Sequence, residues 1–177
     1  MKLIFLILFF AFIPKIHAQD YCKQINKVIS DDKTVFDYAS PFDPQEAPPI
    51  RVTRNYSNNG EFSYDNFIVI FQIPCDLDDV YIKNADGTRA EKEEHKLAIQ
   101  FEDKSMITTD TIKITHDFTE DRSQSLRVLY YPLNSRTLPD FMTKKIIGFS
   151  LAGHERAVPP ETGNAVMHYV ICMKAVK

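Results

Sequence analysis

The sequence predicts one exported domain of the α+β class, mostly β, built as an antiparallel sheet or sandwich with helices confined to its last third. Three observations carry this expectation. Apolar and polar residues alternate in several short runs, the period of half-buried strands. Turn-forming groups such as Ser57-Asn58-Asn59-Gly60 and Asn84-Ala85-Asp86-Gly87 separate those runs. A Thr-Leu-Pro-Asp helix start and a 3.6-residue apolar spacing appear only after residue 136.

The chain opens with a segment of different character. Lys2 provides a positive start, and Leu3–Ile13 is an apolar run of eleven residues. As a helix it would extend about 16 Å against a hydrocarbon core of about 30 Å. Pro14 breaks it, and Ile16-His17-Ala18 offers a small residue at a cleavage edge. Residues 1–18 therefore read as a signal peptide, and residues 19–177 as the working domain. Ile16 fits the A-x-A pattern less well than alanine, so a retained anchor is the competing reading. Gln19-Asp20-Tyr21 before Cys22 is too bulky and polar for a lipidation site.

The whole chain carries 21 basic and 24 acidic side chains, a net charge of −3. Removing residues 1–18 takes away Lys2 and Lys15, leaving 159 residues with 19 basic side chains and a net charge of −5. That balance attracts neither nucleic acid nor an anionic membrane surface. No second apolar run reaches membrane-spanning length. After cleavage the domain is expected to be soluble, without stable membrane insertion, in the periplasm or secreted.

Each element follows from local chemistry. Cys22–Tyr38 starts with a short helical or extended piece and ends in a strand at Thr34–Tyr38. Pro41, Pro44, Pro48 and Pro49 make a rigid loop. Ile50–Tyr56 alternates as a strand, turns at Asn59-Gly60, and returns as a long apolar strand over Phe62–Ile73. Val80–Lys83 begins a second hairpin through Asn84–Gly87. Leu97–Phe101 and Thr111–Thr115 are further strands about a turn at Glu102–Ser105, and Ser125–Tyr131 is another, ended by Pro132. Thr137 then caps a short helix near 138–144, with Pro139 in its first turn and Asp140 near its positive end. Ile146–Ala152 is a strand, and Val158-Pro159-Pro160 a loop. Val166, Tyr169, Val170 and Met173 share one face of a C-terminal helix. Val166, His168, Val170 and Cys172 also alternate, which is the pattern of a closing strand; the helix is the expectation.

Export places Cys22, Cys75 and Cys172 where disulfides persist. Three pairings are open from sequence. Cys22 and Cys172 lie near opposite ends of the domain, and domain termini are often close, which favours their bridge. Cys75 then stays free. Asp76, Asp78 and Asp79 beside it disfavour a thiolate, so it is a poor nucleophile.

The search for chemistry returns no catalytic residue, and the expected cofactor and metal complement is none. Gly148-Phe149-Ser150-Leu151-Ala152-Gly153 is a near miss to the nucleophile elbow G-x-S-x-G, with Ala152 where the second Gly belongs. It reads as a strand with Ser150 on one face. Asp76, Asp78, Asp79 and Asp86 match no calcium-loop spacing and read as solvated turns. His95, His116, His154 and His168 lack metal-ligand spacing. Ala90–Lys96 is a mixed charge run that reads as a solvated loop or strand end. Phe62, Tyr64, Phe67 and Phe71 would suit a stacking platform but read as core.

The order of features resembles small exported proteins of Bacteroidota-type bacteria. The residues that carry it are Cys22 at the start of the domain, the Leu-x-Ile-x-Phe-x-Asp-x-Ser hairpin at Leu97–Ser105, Tyr131-Pro132, Lys144-Lys145-Ile146-Ile147 and Cys172. The resemblance covers most of residues 22–177. It implies a periplasmic or secreted bacterial protein, supports the terminal cysteine pair, and brings no catalytic residue; Cys75 lies outside it. The functional expectation is a non-enzymatic envelope binding, adaptor or structural module whose partner is a protein or small ligand. The alternative is a small hydrolase of envelope or environmental polymers, its acids and histidines converging only in the fold.

Overall fold

The computed structural model describes residues 21–30, 35–41, 48–58, 63–118 and 125–176. The expected signal at 1–18 and the Asn59-Gly60 turn lie outside them. Residues 21–23 are helical, and two hairpins' worth of strand follow: β1 Asn26–Ile29, β2 Val35–Ala39, β3 Ile50–Asn58 and β4 Ser63–Cys75. A short helix α1, Leu77–Val80, leads into β5 Tyr81–Lys83 and β6 Arg89–Glu91. Then come β7 Glu94–Phe101, β8 Met106–Phe118, β9 Ser125–Leu133, α2 Leu138–Thr143, β10 Ile146–Leu151, β11 His154–Ala157 and α3 Pro160–Ala175.

Nine strands form one antiparallel sheet in the order β1-β2-β3-β4-β9-β8-β7-β10-β11, and β5-β6 form a small sheet of their own. The mostly β, α+β expectation holds, including both helices. The sheet does not lie flat. β4 and β10 are four places apart in it, about 19 Å if the sheet were planar. Yet the Phe71 and Phe149 rings on these strands are 4.9 Å apart. The two arms therefore curl toward each other, and the core fills the space between them. Val52, Val69 and Phe71 come from one arm and Leu97, Ile99, Phe101 and Leu151 from the other.

One strand makes the bend. Thr111–Thr115 is the middle of β8, which runs 13 residues and changes partner along its length. Its first part pairs with β7 up to Ile114, and Thr115–Phe118 pair with β9. Beyond Val128, β9 keeps β4 as its partner. Pro132 therefore does not end the strand but pairs with Ile68 inside it. A residue without an N–H is tolerated where a strand has an unpaired side. Helix α2 covers the opening: Phe141 meets Phe101 edge-on at 5.6 Å and lies 6.1 Å from Tyr131. Thr137 is at its N-cap but makes no side-chain cap bond. Instead Thr137 Oγ1 accepts from the Asn134 N–H, and Asn134 Oδ1 accepts from the N–H groups of Arg136 and Thr137.

Helix α3 closes the seam between the arms, packing on β3 and β10. Its buried side chains Val166, Tyr169, Val170 and Met173 are the predicted stripe, so the helix prevails over the closing strand. Gly163 allows the close approach, because a Cβ there would collide with the Ile146 carbonyl. Cys22 and Cys172 are bonded, with Cα atoms 5.3 Å apart. Tyr21 stacks on His168 at 5.0 Å, and Tyr169 Oη donates to Gln24 Oε1 at 2.9 Å. The two ends of the domain are one packed unit. Among the described residues, no helix is long and apolar enough to cross a membrane.

Candidate functional site

Two places bring chemistry together. The first is the end of the core where β4, β8 and β9 meet. Arg127 stands opposite Ile73 on β4 and His116 on β8. Strand alternation puts it on the core face with Leu129 and Tyr131. A guanidinium that is only 2% exposed needs a full set of partners. Glu94 at the start of β7 supplies them, accepting from Arg127 Nε at 2.8 Å and from Nη2 at 3.4 Å.

His116 joins the same group. Its Nδ1 is 2.6 Å from Glu91 Oε1 on β6, and its Nε2 is 3.3 Å from Glu94 Oε2, off the hydrogen-bond direction. Burial works against ionisation of Glu94. Hydrogen bonds and charge from Arg127, then from His116, outweigh it and hold the carboxyl below the ordinary glutamate value. Arg127 and Glu94 are within electrostatic reach of Cys75 as well. Burial pushes that thiol up, Arg127 opposes the rise, and Glu94, Asp79 and Asp76 add to it. Cys75 is free and not activated, as its acidic neighbours foretold.

The second place is the outer face of β7, β10 and β11. Ala98 lies opposite Ser150, and Gly148 opposite both Ala157 and Gln100. The small residues Ala98, Gly148, Ser150 and Ala157 leave a shallow depression of about 240 Å³, which Gln100, Glu155 and Arg156 also line. Met106 and Ile147, 59% and 41% exposed, stand at its rim. The register of β10 against β7 shifts between Ile146 and Gly148. Ile146 and Phe149 are both buried, so the two residues between them face outward, and the bulge is what turns Ile147 toward the depression.

The remaining sequence candidates have structural places. Ser150 lies in β10, and Ala152 and Gly153, with φ of 51° and 89°, form the β10–β11 turn, so there is no strand-to-helix elbow. Phe67 and Phe71 are core, while Tyr64 is exposed and Phe62 lies outside the described residues. Asp76 precedes α1, which the reading of solvated turns did not foresee. Asp86 stiffens the β5–β6 turn by accepting from the Thr88 N–H and hydroxyl. His95 lies 3.5 Å from Glu93, His154 is on edge strand β11, and His168 stacks on Tyr21. Among the described residues, no group of three His, Cys, Asp or Glu has metal-binding geometry.

Ser105 and Lys144 look like a nucleophile and its base, with Nζ 3.0 Å from Oγ. Hydrogen bonds from Lys144 to Asp140 and Asp103 raise the ammonium above the ordinary lysine value, so it donates and does not abstract. Asp103, accepting from the Ser105 hydroxyl and N–H, is lowered to about 2. This is a turn clamp.

No protein-family model matches the sequence, and neither a curated protein nor a solved structure is significantly similar to it. The Glu91–His116–Glu94–Arg127 group was missed in sequence because its members lie on four strands. Its one local sign is Arg127, a lone charge inside Ser125-Leu126-Arg127-Val128-Leu129-Tyr130-Tyr131. The Ala90–Lys96 run, read as solvated, in fact supplies both carboxylates.

Proposed function

We propose that the chain is an exported, soluble, non-enzymatic binding or adaptor module, and that its partner is a protein docked on the outer face of β7, β10 and β11. The observation that carries this reading is the small-residue depression rimmed by Met106 and Ile147. Its volume decides the class of occupant. Pockets for drug-sized ligands run from about 300 Å³ upward and enclose most of the ligand. A shallow depression of about 240 Å³, lined by Met106 and Ile147 together with Gln100, Glu155 and Arg156, suits instead one anchoring side chain of a larger partner with both apolar and polar atoms. The disulfide and the absence of a membrane-spanning helix among the described residues are consistent with export.

A photoreactive residue at Ile147 in the native cell is expected to capture a discrete partner, identified by mass spectrometry. The same group at Tyr130, exposed on a different strand, serves as control. Gly148→Leu fills the depression, and its φ is not in the left-handed region, so it should abolish capture without unfolding the domain. Unchanged capture in that variant overturns the docking face. One observation favours the hydrolase alternative: His116 is bracketed by two carboxylates. Hydrolysis of a peptide, ester or glycan panel that is lost in His116→Gln would replace the binding reading.

A further inference from the structure

We propose that His116 is a charge-dependent latch holding the β5–β6 hairpin on the main sheet. The hairpin's ladder, Tyr81–Glu91 to Lys83–Arg89, is internal to it. Lys92, just after the hairpin, bonds back to its root: the N–H donates to the Val80 carbonyl and Nζ to the Asp79 carbonyl. The side-chain tie to the large sheet runs from Glu91 on β6 to His116 on β8, at 2.6 Å.

Charge decides the strength of that tie. Among the described residues, the charged groups that face His116 are Glu91 from β6, Glu94 from β7 and Arg127 from β9. Cys75 at the end of β4 feels Arg127 and Glu94 together with Asp76, which precedes α1, and Asp79 within it. On β8 itself, Lys113 and Asp117 alternate to the opposite face. With an imidazolium, two cations meet two carboxylates and the inner group is neutral. With a neutral imidazole, Arg127 holds Glu94, and Glu91 is left without a cation among the described residues. Glu94 has Arg127 to fall back on; Glu91 has not. Loss of the histidine proton therefore weakens the hairpin's contact and leaves the Arg127–Glu94 pair in place.

Hydrogen exchange read by mass spectrometry tests the latch, at about pH 5 and about pH 8, on either side of the ordinary histidine range. After correction for intrinsic exchange, amides over 81–91 should lose protection about tenfold at the higher pH, what one charge-assisted hydrogen bond is worth. Protection in β3 and β4 should not change. Glu91→Gln and His116→Gln should both show the weak, pH-independent hairpin. Glu91 is half exposed, so its variant keeps the test valid even where the histidine variant folds poorly. A wild-type hairpin equally protected at both values, or a Glu91→Gln hairpin that keeps the wild-type pH dependence, overturns the proposal.

Discussion

Among the described residues two arginines are buried, at opposite ends of the same core, and they are partnered in different ways. Arg54 on β3 is 5% exposed. It makes two bonds to Asp65 and donates through Nη1 to the Met173 carbonyl and to the Val176 carbonyl at 2.7 Å. Tyr56 and Phe67 rings lie 5.2 and 5.0 Å from its guanidinium carbon. It thereby satisfies carbonyls that the end of α3 would otherwise leave unpaired. Arg127 instead answers to Glu94, which is shared with a histidine. One end is sealed by a carboxylate and backbone carbonyls. The other shares its carboxylate with an imidazole. The comparison teaches that burial of a charge does not by itself make a rigid seal; the partner's chemistry decides.

The largest effect should come from Arg54→Met, which strips the carbonyls at the end of α3 and leaves Asp65 with only Lys174, 3.5 Å away. Breaking a buried pair costs about 3–5 kcal/mol, measurable by urea unfolding. A loss below about 1 kcal/mol would mean that packing and the disulfide hold α3 without the arginine. Replacing Cys22 and Cys172 together by serine should cost about 2–5 kcal/mol in the same assay. Next is Gly163→Ala, where collision with the Ile146 backbone should cost about 1–3 kcal/mol and loosen α3 in exchange, leaving the Arg127 end unaltered.

The pH behaviour separates the ends more finely. For both Asp65 and Glu94, burial raises the carboxyl, but arginine hydrogen bonds and charge outweigh it and the net shift is downward. A depressed carboxylate gives stability that is present above its unfolded value and lost as pH falls through its folded one. Asp65→Asn and Glu94→Gln should each flatten the acid limb of unfolding free energy against pH. Equal acid limbs in variant and wild type would deny the pairing at that end. Smallest of all, Gly148→Leu on the outer face should move stability by no more than about 0.5 kcal/mol, checked by thermal unfolding.

Much of the fold was legible because its signals are local. Alternation gave the strands, Asn84–Gly87 the hairpin, and the spacing from Val166 to Met173 the last helix. Other features were not legible, and three show why. The full extent of β8 was missed because its exposed Thr-rich first half lacks an apolar alternation. Pro132 reads as a stop unless the strand beside it is known to leave. The bulge at Ile147 depends on the register between β10 and β7, which no single strand encodes.

By itself, the sequence determined the apolar run at Leu3–Ile13, the acidic balance, the antiparallel class and the few cysteines from which the bridge is chosen. These follow from composition and from periods of two or three to four residues, interactions between near neighbours. Only the tertiary structure decided that the sheet curls until Phe71 meets Phe149, that Cys22 reaches Cys172, and that Glu91, Glu94, His116 and Arg127 converge. Those contacts join residues far apart along the chain. They exist because a curled sheet must fill its interior and satisfy every charge it buries there.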